Sequence, residues 1–272
     1  MNRFAKLLGT TMALGVLSAT FAFAEYAEGP VDGGGTVSGK INFKGAQPPP
    51  QKFDLTKFPQ AKFCGGADTE GTTRLRQDVK VKGGALLDVV VAIEKIEKGK
   101  PFKFEKASAR ANICRFLVMD SPSEAVGVVV RGKKISFTNE DADPSEDKSK
   151  EGVLHNPHGY EMKGPQSTTI FNKPLPKKGQ TIEEMIKPIA FKKEDAFMKV
   201  ECDQHNYMNV WFLPVDNPYY AVVGADGTFS IDQVPPGKYT IKAFHPALGF
   251  VKKEIDVAAN GKVAADFEFA GK

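Results

Sequence analysis

Short stretches of alternating apolar and polar residues, separated by turn residues, recur along most of this chain. Residues 36–43 alternate in this way, and residues 196–202 alternate again with Cys202 on the apolar face. A period of two predicts β-strands that bury one face. The dipeptide Asp226-Gly227 lies between two such stretches and is typical of a β-hairpin turn. The pattern therefore predicts an all-β protein.

Two further stretches extend this prediction. Residues 87–96 are apolar and rich in β-branched side chains, and residues 125–137 read as two strands joined at Arg131-Gly132. Helix is suggested only near residues 181–186, and the segment is short. Many short strands with regularly spaced turns are typical of β-sandwiches.

The N-terminus has the pattern of a secretory signal peptide. Arg3 and Lys6 precede an apolar run over residues 7–21, and Ala22-Phe23-Ala24 supplies the small residues of a cleavage site. The run is shorter than the roughly 20 residues that span a bilayer, and no second run approaches that length. We expect cleavage near Ala24 and a periplasmic or secreted protein without a membrane span.

We expect three segments along the chain. Residues 1–24 form the signal peptide, residues 25–215 a first β-domain, and residues 216–272 a smaller second β-domain. The strand near Gly35–Gly45 could belong to either domain. Without Arg3 and Lys6 the charge is close to neutral and the lysines are scattered, which argues against nucleic acid as a partner.

The chain has three cysteines. In an exported protein an odd count indicates one disulfide and one thiol kept for chemistry or for a partner. Cys64 and Cys114 are the expected pair. By closing the loop between them, their bond would stabilise the folded state by about 4 kcal/mol on the chain-entropy model. Two buried free thiols are the alternative. Cys202 is then left over.

The remaining cysteine belongs to a pattern that suits a metal. His205 follows Cys202 by three positions, and Met208 follows His205 by three, just after a predicted strand. Thiolate and thioether sulfurs are soft ligands and imidazole is borderline, so with one more histidine the set suits copper. Taken singly, Cys202 would more often be an ordinary buried thiol, His205 a surface histidine and Met208 a core residue.

The second histidine must come from elsewhere in the chain. Only four histidines exist, and His155 is favoured because it ends an apolar stretch, whereas His158 lies in a Pro-His-Gly turn and is the main rival. His245 lies in the second β-domain and is expected to be structural. The acidic segment at residues 139–151 lacks the spacing of a calcium loop and is expected to be a solvated loop.

These residues resemble those of a known family. A His-Asn pair followed by Cys-x₂-His-x₂-Met resembles the type 1 blue copper proteins, or cupredoxins, with a ligand loop like that of amicyanin. The wider chain resembles exported methylamine-utilisation-like proteins with a C-terminal carboxypeptidase-regulatory-like β-domain. The matching segments are 35–45, Cys64, Cys114, 135–139, His155-Asn156, Phe171-Asn172, 202–208, 217–219, 227–229 and 235–239.

The resemblance implies a fold and a site. The fold would be a cupredoxin-like Greek-key β-sandwich followed by a smaller transthyretin/carboxypeptidase-regulatory-like β-sandwich. One copper ion, cycling between Cu(I) and Cu(II), would be held by His155, Cys202, His205 and Met208. Asn156 would brace the two ligand loops through backbone hydrogen bonds. The ring edge of His205 would be the electron port.

The function implied is single-electron transfer with an exported cytochrome c or a periplasmic dehydrogenase, and not an enzymatic activity. Covalent haem would need Cys-x-x-Cys-His, a binuclear copper centre would need a second loop cysteine, and a multicopper oxidase or copper nitrite reductase would need more histidines. Structural zinc favours more thiolates. A copper storage or delivery protein, and a metal-free structural β-sandwich, remain as alternatives.

Overall fold

The computed structural model describes residues 26–68 and 71–271. The predicted signal peptide lies outside these residues. Within them the regular secondary structure is almost entirely β-strand, which confirms the all-β fold class, and no helix there has the length and apolar character needed to cross a membrane.

The strands and the one short α-helix within the described residues follow in chain order. The first part contains β1 (Ala27–Glu28), β2 (Gly35–Lys44), β3 (Gln51–Asp54), α1 (Ala61–Cys64), β4 (Thr73–Arg76), β5 (Val81–Lys82), β6 (Ala85–Leu86), β7 (Val90–Ile93) and β8 (Lys98–Gly99). The middle part contains β9 (Lys106–Ala111), β10 (Phe116–Val118), β11 (Val126–Val129), β12 (Lys134–Asn139), β13 (Pro157–Lys163), β14 (Gln166–Asn172), β15 (Thr181–Met185), β16 (Phe197–Cys202) and β17 (Asn209–Pro214). The last part contains β18 (Tyr220–Val222), β19 (Thr228–Val234), β20 (Gly237–His245), β21 (Gly249–Val257), β22 (Lys262–Ala264) and β23 (Phe267–Ala270).

The middle part of the chain forms the first β-sandwich. One sheet has the strand order β10-β9-β12-β15, and the other has the order β11-β17-β16-β13-β14. Along β16 the buried positions alternate, so that Met198, Val200 and Cys202 point into the core while their neighbours are half exposed. The two sheets share one apolar core, and Cys202 lies at its end.

The segment suggested as helical is a strand. Residues Thr181–Met185 form β15, which pairs antiparallel with β12 at the edge of its sheet. Glu183 bonds there to Lys134 on the paired strand β12 at 2.7 Å and to Lys106 on the next strand, β9, at 2.8 Å. These cross-strand ion pairs favour a sheet edge, which a short segment with mixed periodicity does not reveal.

The second β-sandwich is built from both ends of the chain. One sheet has the order β18-β7-β20-β21, and the other has the order β19-β2-β6-β5, with β22 and β23 also paired to β2. Val37, Ile41 and Phe43 on β2 are buried against Phe229 and Phe267 in a core separate from that of the first sandwich.

The sheets therefore do not follow the contiguous division expected at residues 215 and 216. Residue 216 marks where the chain returns to the second sandwich, but β2, β5, β6 and β7 belong to that sandwich as well. The strand near Gly35–Gly45 thus packs with the second sandwich. β2 pairs with β19, β22 and β23 from the C-terminal part, and with the short strand β6.

A third apolar cluster joins the two sandwiches. It contains Val90, Ala92, Val126, Val128, Val130, Leu213, Val215 and Phe244. All four residues of β7 and of β11 are buried, because one face of each strand lines its own core and the other lines this junction. Buried apolar side chains contribute about 1.5–3 kcal/mol each, whereas the exposed ion pair Lys252–Glu194 is screened by solvent and contributes little. The apolar cluster therefore holds the sandwiches together.

Candidate metal centre

Cys202 ends strand β16 with its side chain in the core, and the chain then turns back tightly into β17. The backbone N–H of His205 donates to the carbonyl of Cys202 at 3.1 Å, and that of Met208 donates to the carbonyl of His205 at 2.8 Å. The N–H of Cys202 closes the loop on the carbonyl of Met208 at 3.2 Å. These two successive turns place His205 and Met208 beside the end of the strand.

The pairing of strands β13 and β16 positions His155 near Cys202. Strand β13 pairs antiparallel with β16 so that Pro157 lies opposite Cys202, and His155 precedes Pro157 by two residues. A short bridge to Leu175 fixes its backbone through hydrogen bonds of 3.2 and 2.8 Å. The register of two strands thus brings together residues that are 47 positions apart.

Three donor atoms converge at this point. The sulfur of Cys202 lies 3.9 Å from Nδ1 of His155 and 3.7 Å from Nδ1 of His205. All three side chains are completely buried, and Met208 is 1% exposed. The structure therefore brings together His155, Cys202 and His205 as a group that could hold a metal ion, with Met208 buried on the same loop.

The outer nitrogens of both histidines are engaged. Nε2 of His155 lies 2.8 Å from a carboxylate oxygen of Asp141, and Nε2 of His205 lies 3.2 Å from the carbonyl of Pro59. Both oxygens are acceptors, so each ring carries its proton on Nε2 and directs the lone pair of Nδ1 towards Cys202. This is the tautomer that a metal ligand requires.

Burial changes the ionisation of the group. It raises the pKa of the Cys202 thiol to about 11, and burial together with the neighbouring His155 lowers the pKa of His205 to about 4. Burial also acts to raise the pKa of Asp141, but hydrogen bonds from His155 and from backbone N–H groups outweigh it and lower that pKa. At neutral pH the metal-free centre therefore holds a neutral thiol and a neutral His205 beside an ionised carboxylate.

Asn156 connects the two ligand segments. Its backbone N–H points to the sulfur of Cys202 at 3.4 Å, and its side-chain amide donates to Asp203 at 2.7 Å and to Asn172 at 2.6 Å. Hydrogen bonding to the sulfur favours the thiolate over the thiol.

A disulfide covers the site. Cys64 and Cys114 are bonded, as expected, and both are completely buried. The sulfur of Cys64 lies 3.8 Å from Nε2 of His205, and Pro59 covers the same nitrogen. The ring edge of His205, expected to be the electron port, has no exposed surface, because the segment from Leu55 to Cys64 packs over it.

The other two histidines lie elsewhere. The ring of His158 contacts Asp203 at 3.0 Å and stacks on Tyr160, outside the Cys202 group. His245 is buried in the second sandwich, where its Nδ1 accepts a backbone N–H from Ala247 at 3.1 Å.

Sequence reasoning missed Asp141 and Pro59. The stretch at residues 139–151 reads as a solvated loop, yet Asn139, Asp141 and Asp143 are buried. The position of a carboxylate between a strand end and His155 could have indicated a hydrogen-bond partner for that histidine. Nothing in the sequence, however, distinguishes Asp141 from its acidic neighbours. Pro59 carries no signal, because it acts through its backbone carbonyl.

Comparisons with known proteins give partial matches. Residues 204–268 match the family described as ER membrane protein complex subunit 7, β-sandwich domain, which agrees with the β-sandwich in the C-terminal part. Among curated proteins none is significantly similar to this chain.

Among solved structures, three similar ones are each 14% identical to this chain. A Cu-containing nitrite reductase from Thermus scotoductus has a TM-score of 0.28, and the match covers 43% of this chain and 24% of that chain. A purple cupredoxin from Nitrosopumilus maritimus has a TM-score of 0.27, with 41% and 100% covered. A variant of amicyanin in the Cu(I) form has a TM-score of 0.25, with 46% and 98% covered.

Proposed function

We propose that this protein is an exported type 1 copper protein that carries single electrons between redox partners. The observation that carries the proposal is the convergence of His155, Cys202 and His205, each with its donor atom aimed at a common point inside a closed core. Met208, on the same loop, supplies the thioether that such sites use as a weak axial ligand.

The donor set fits one copper ion. Donor atoms that lie about 2.0–2.3 Å from one ion, at trigonal to tetrahedral angles, are roughly 3.6–3.8 Å apart. The two sulfur–nitrogen distances of 3.7 and 3.9 Å agree with this spacing. Two imidazoles, one thiolate and one thioether are the ligands that favour copper over zinc, calcium or magnesium.

Copper would supply the one-electron chemistry. The residues around it would keep the ligand geometry similar in the two oxidation states. Cys202 would lose its proton on binding and provide the strongest bond, while Met208 would tune the reduction potential. Asp141 fixes the His155 ring, and Asn156 donates to the sulfur. The disulfide and the two sheets restrict movement, which limits reorganisation when the charge of the centre changes.

Electrons would enter beside Met208 rather than through His205. Met208 and Tyr207 line a cleft of about 510 Å³ between the two sandwiches, together with Arg74, Arg76 and Trp211. A partner docked over this cleft would be close to the thioether side of the centre. An exported cytochrome c or a periplasmic dehydrogenase is the proposed partner, and electron transfer without catalysis of its own is the proposed role.

The test is the spectrum of the copper-loaded protein without residues 1–24. We expect one copper per chain, an intense visible band, and loss of that band in Cys202→Ser, because the band arises at the copper–thiolate bond. His158→Asn is the matched control and should keep the band. A band that survives in Cys202→Ser would exclude this centre, and a wild-type chain that binds no copper would favour a metal-free structural β-sandwich.

A second function is favoured by the cover over the site. Because His205 has no exposed edge, the same ligands would also suit storage or delivery of copper in the periplasm. Slow electron self-exchange together with ready transfer of copper to an acceptor would support delivery, and fast self-exchange would support the carrier.

A further inference from the structure

The disulfide over the metal centre contains a second set of donor atoms. The sulfurs of Cys64 and Cys114 and one ring nitrogen of His205 all lie within 4.8 Å of one another, and all three residues are buried. Nε2 of His205 faces the sulfur of Cys64 at 3.8 Å, on the side of the ring away from Cys202. Two sulfurs and an imidazole are a soft ligand set.

Hydrogen bonds hold these residues independently of the sulfur–sulfur bond. The buried guanidinium of Arg74 donates to the carbonyl of Cys114 at 2.6 Å and to that of Cys64 at 2.7 Å. Asp141 accepts the backbone N–H groups of Ile113 and Cys114 at 2.6 and 2.9 Å. The main chain on both sides is therefore fixed when the disulfide is open.

We propose that reduction of the disulfide turns Cys64, Cys114 and His205 into a second metal site, specific for Cu(I). A dithiol reductant would give two electrons and two protons to the disulfide, leaving two thiols, and would itself become a disulfide. Binding of Cu(I) would then release the two thiol protons to water. Two thiolates on one ion lie about 3.8 Å apart, which rotation of the two side chains can reach.

The rival set around the same cysteine is less suitable. Cys114 also lies within 4.8 Å of Asp141 and His155. The two oxygens of Asp141 already accept hydrogen bonds from two backbone N–H groups and from His155, so a metal would have to displace them. A carboxylate is in addition a hard ligand, which Cu(I) disfavours.

His205 would link the two sites. A neutral imidazole has one lone pair, so the ring can serve one ion at a time. An ion on the reduced cysteines would take Nε2 and leave Nδ1 protonated, which withdraws His205 from Cys202. Opening of the disulfide would thus weaken the electron-transfer centre as it creates the new site. The new site does not use Cys202, so it goes beyond the function proposed above.

The test separates the two sites by removing Cys202. Purified Cys202→Ser is prepared with the disulfide intact or reduced by dithiothreitol without oxygen, and each form competes for Cu(I) with a coloured chelator. We expect one Cu(I) per chain in the reduced form, bound tighter than in the oxidised form by roughly two orders of magnitude. His205→Asn in the same background should remove most of this gain.

Two controls keep the result interpretable. The Cys202→Ser variant that also carries Cys64→Ser and Cys114→Ser should show no gain on treatment with the reductant. In the reduced wild-type chain, Cu(I) should protect Cys64 and Cys114 from alkylation, which mass spectrometry measures without any substitution. The proposal is overturned if the folded chain cannot be reduced, if the triple variant gains affinity equally, or if the two cysteines are not protected. None of these results depends on whether the wild-type protein has a blue band.

Discussion

Asp141 links the two parts of the candidate metal centre. One carboxylate contacts Nε2 of His155 at 2.8 Å and accepts two backbone N–H groups from the turn that holds Cys114. The ionised carboxylate fixes the ring tautomer, which raises the basicity of the opposite nitrogen. Asp141 thus orients His155 from the side of the ring opposite Cys202.

Replacement of Asp141 should therefore weaken metal binding. We expect Asp141→Asn to lower copper affinity by about 10–100-fold, because an amide holds the imidazole less firmly than a carboxylate. Asp143→Asn is the matched control, since Asp143 is also buried and its side chain accepts hydrogen bonds from Ser145. Competition with a copper chelator measures both, and equal affinities in the two variants would contradict this role.

His245 gives a prediction about pH. Burial lowers its pKa from the ordinary value of 6.5 to about 4. In the unfolded chain His245 therefore takes up a proton near pH 6.5, whereas in the folded chain it takes up that proton only near pH 4. The stability that comes from burying neutral His245 is fully present above pH 6.5. As the pH falls from 6.5 towards 4, protonation of the unfolded chain lowers the free energy of unfolding, by roughly 3 kcal/mol at most.

The variant His245→Asn should lack the pH-dependent part of the stability that comes from His245. We expect the free energy of unfolding of the metal-free variant to fall less than that of the wild type between pH 7 and pH 4.5. Urea denaturation at the two pH values measures the difference, and His205, which shifts in the same direction, is present in both proteins. Identical pH dependence in the two chains would show that His245 does not contribute.

At the scale of elements, alternation predicted strands well where one face is buried. Strands β2 and β16 alternate cleanly, and both were predicted. The apolar stretch at residues 87–96 contains β7, which is buried on both faces and so loses the alternation. β15 was not predicted because it is defined by its pairing with β12 and by lysines on β12 and β9, which no local window of sequence contains.

The disulfide at Cys64 was predicted, but the conformation of the segment from Leu55 to Cys64 was not. The segment has neither strand nor long-helix periodicity, yet it covers His205 and carries half of the disulfide. Its conformation depends on what it packs against, namely His205 and Tyr207, which are roughly 150 residues away. The burial of the His205 ring could not be predicted for the same reason.

At the scale of the whole molecule, the second sandwich is formed by two separate parts of the chain. β2 pairs with three C-terminal strands, and β7 lies between β18 and β20. Without residues 35–93 the C-terminal strands would expose Phe229, Phe267 and Ile241, which are buried in the complete chain. The first segment is therefore part of the folding unit.

This arrangement predicts how fragments behave. A fragment of residues 216–272 should not fold, because its apolar faces lack their partner strands and its edges are unpaired. Residues 26–100, with Cys64→Ser, joined to residues 216–272 by a glycine-serine linker should fold. Amide spectra from NMR distinguish the two, and a well-dispersed spectrum from residues 216–272 alone would contradict the shared sandwich.

The sequence by itself determined what depends on local order: the β-rich character, the turns, and the spacing of Cys202, His205 and Met208 on one loop after one strand. It also indicated His155 and the Cys64–Cys114 pair, because the chain offers few histidines and cysteines. Only the tertiary structure decided that β2 joins the C-terminal strands, that Asp141 orients His155, and that the disulfide covers His205. Those outcomes depend on contacts between distant residues, whose energy is set by shape and burial rather than by any neighbouring residue.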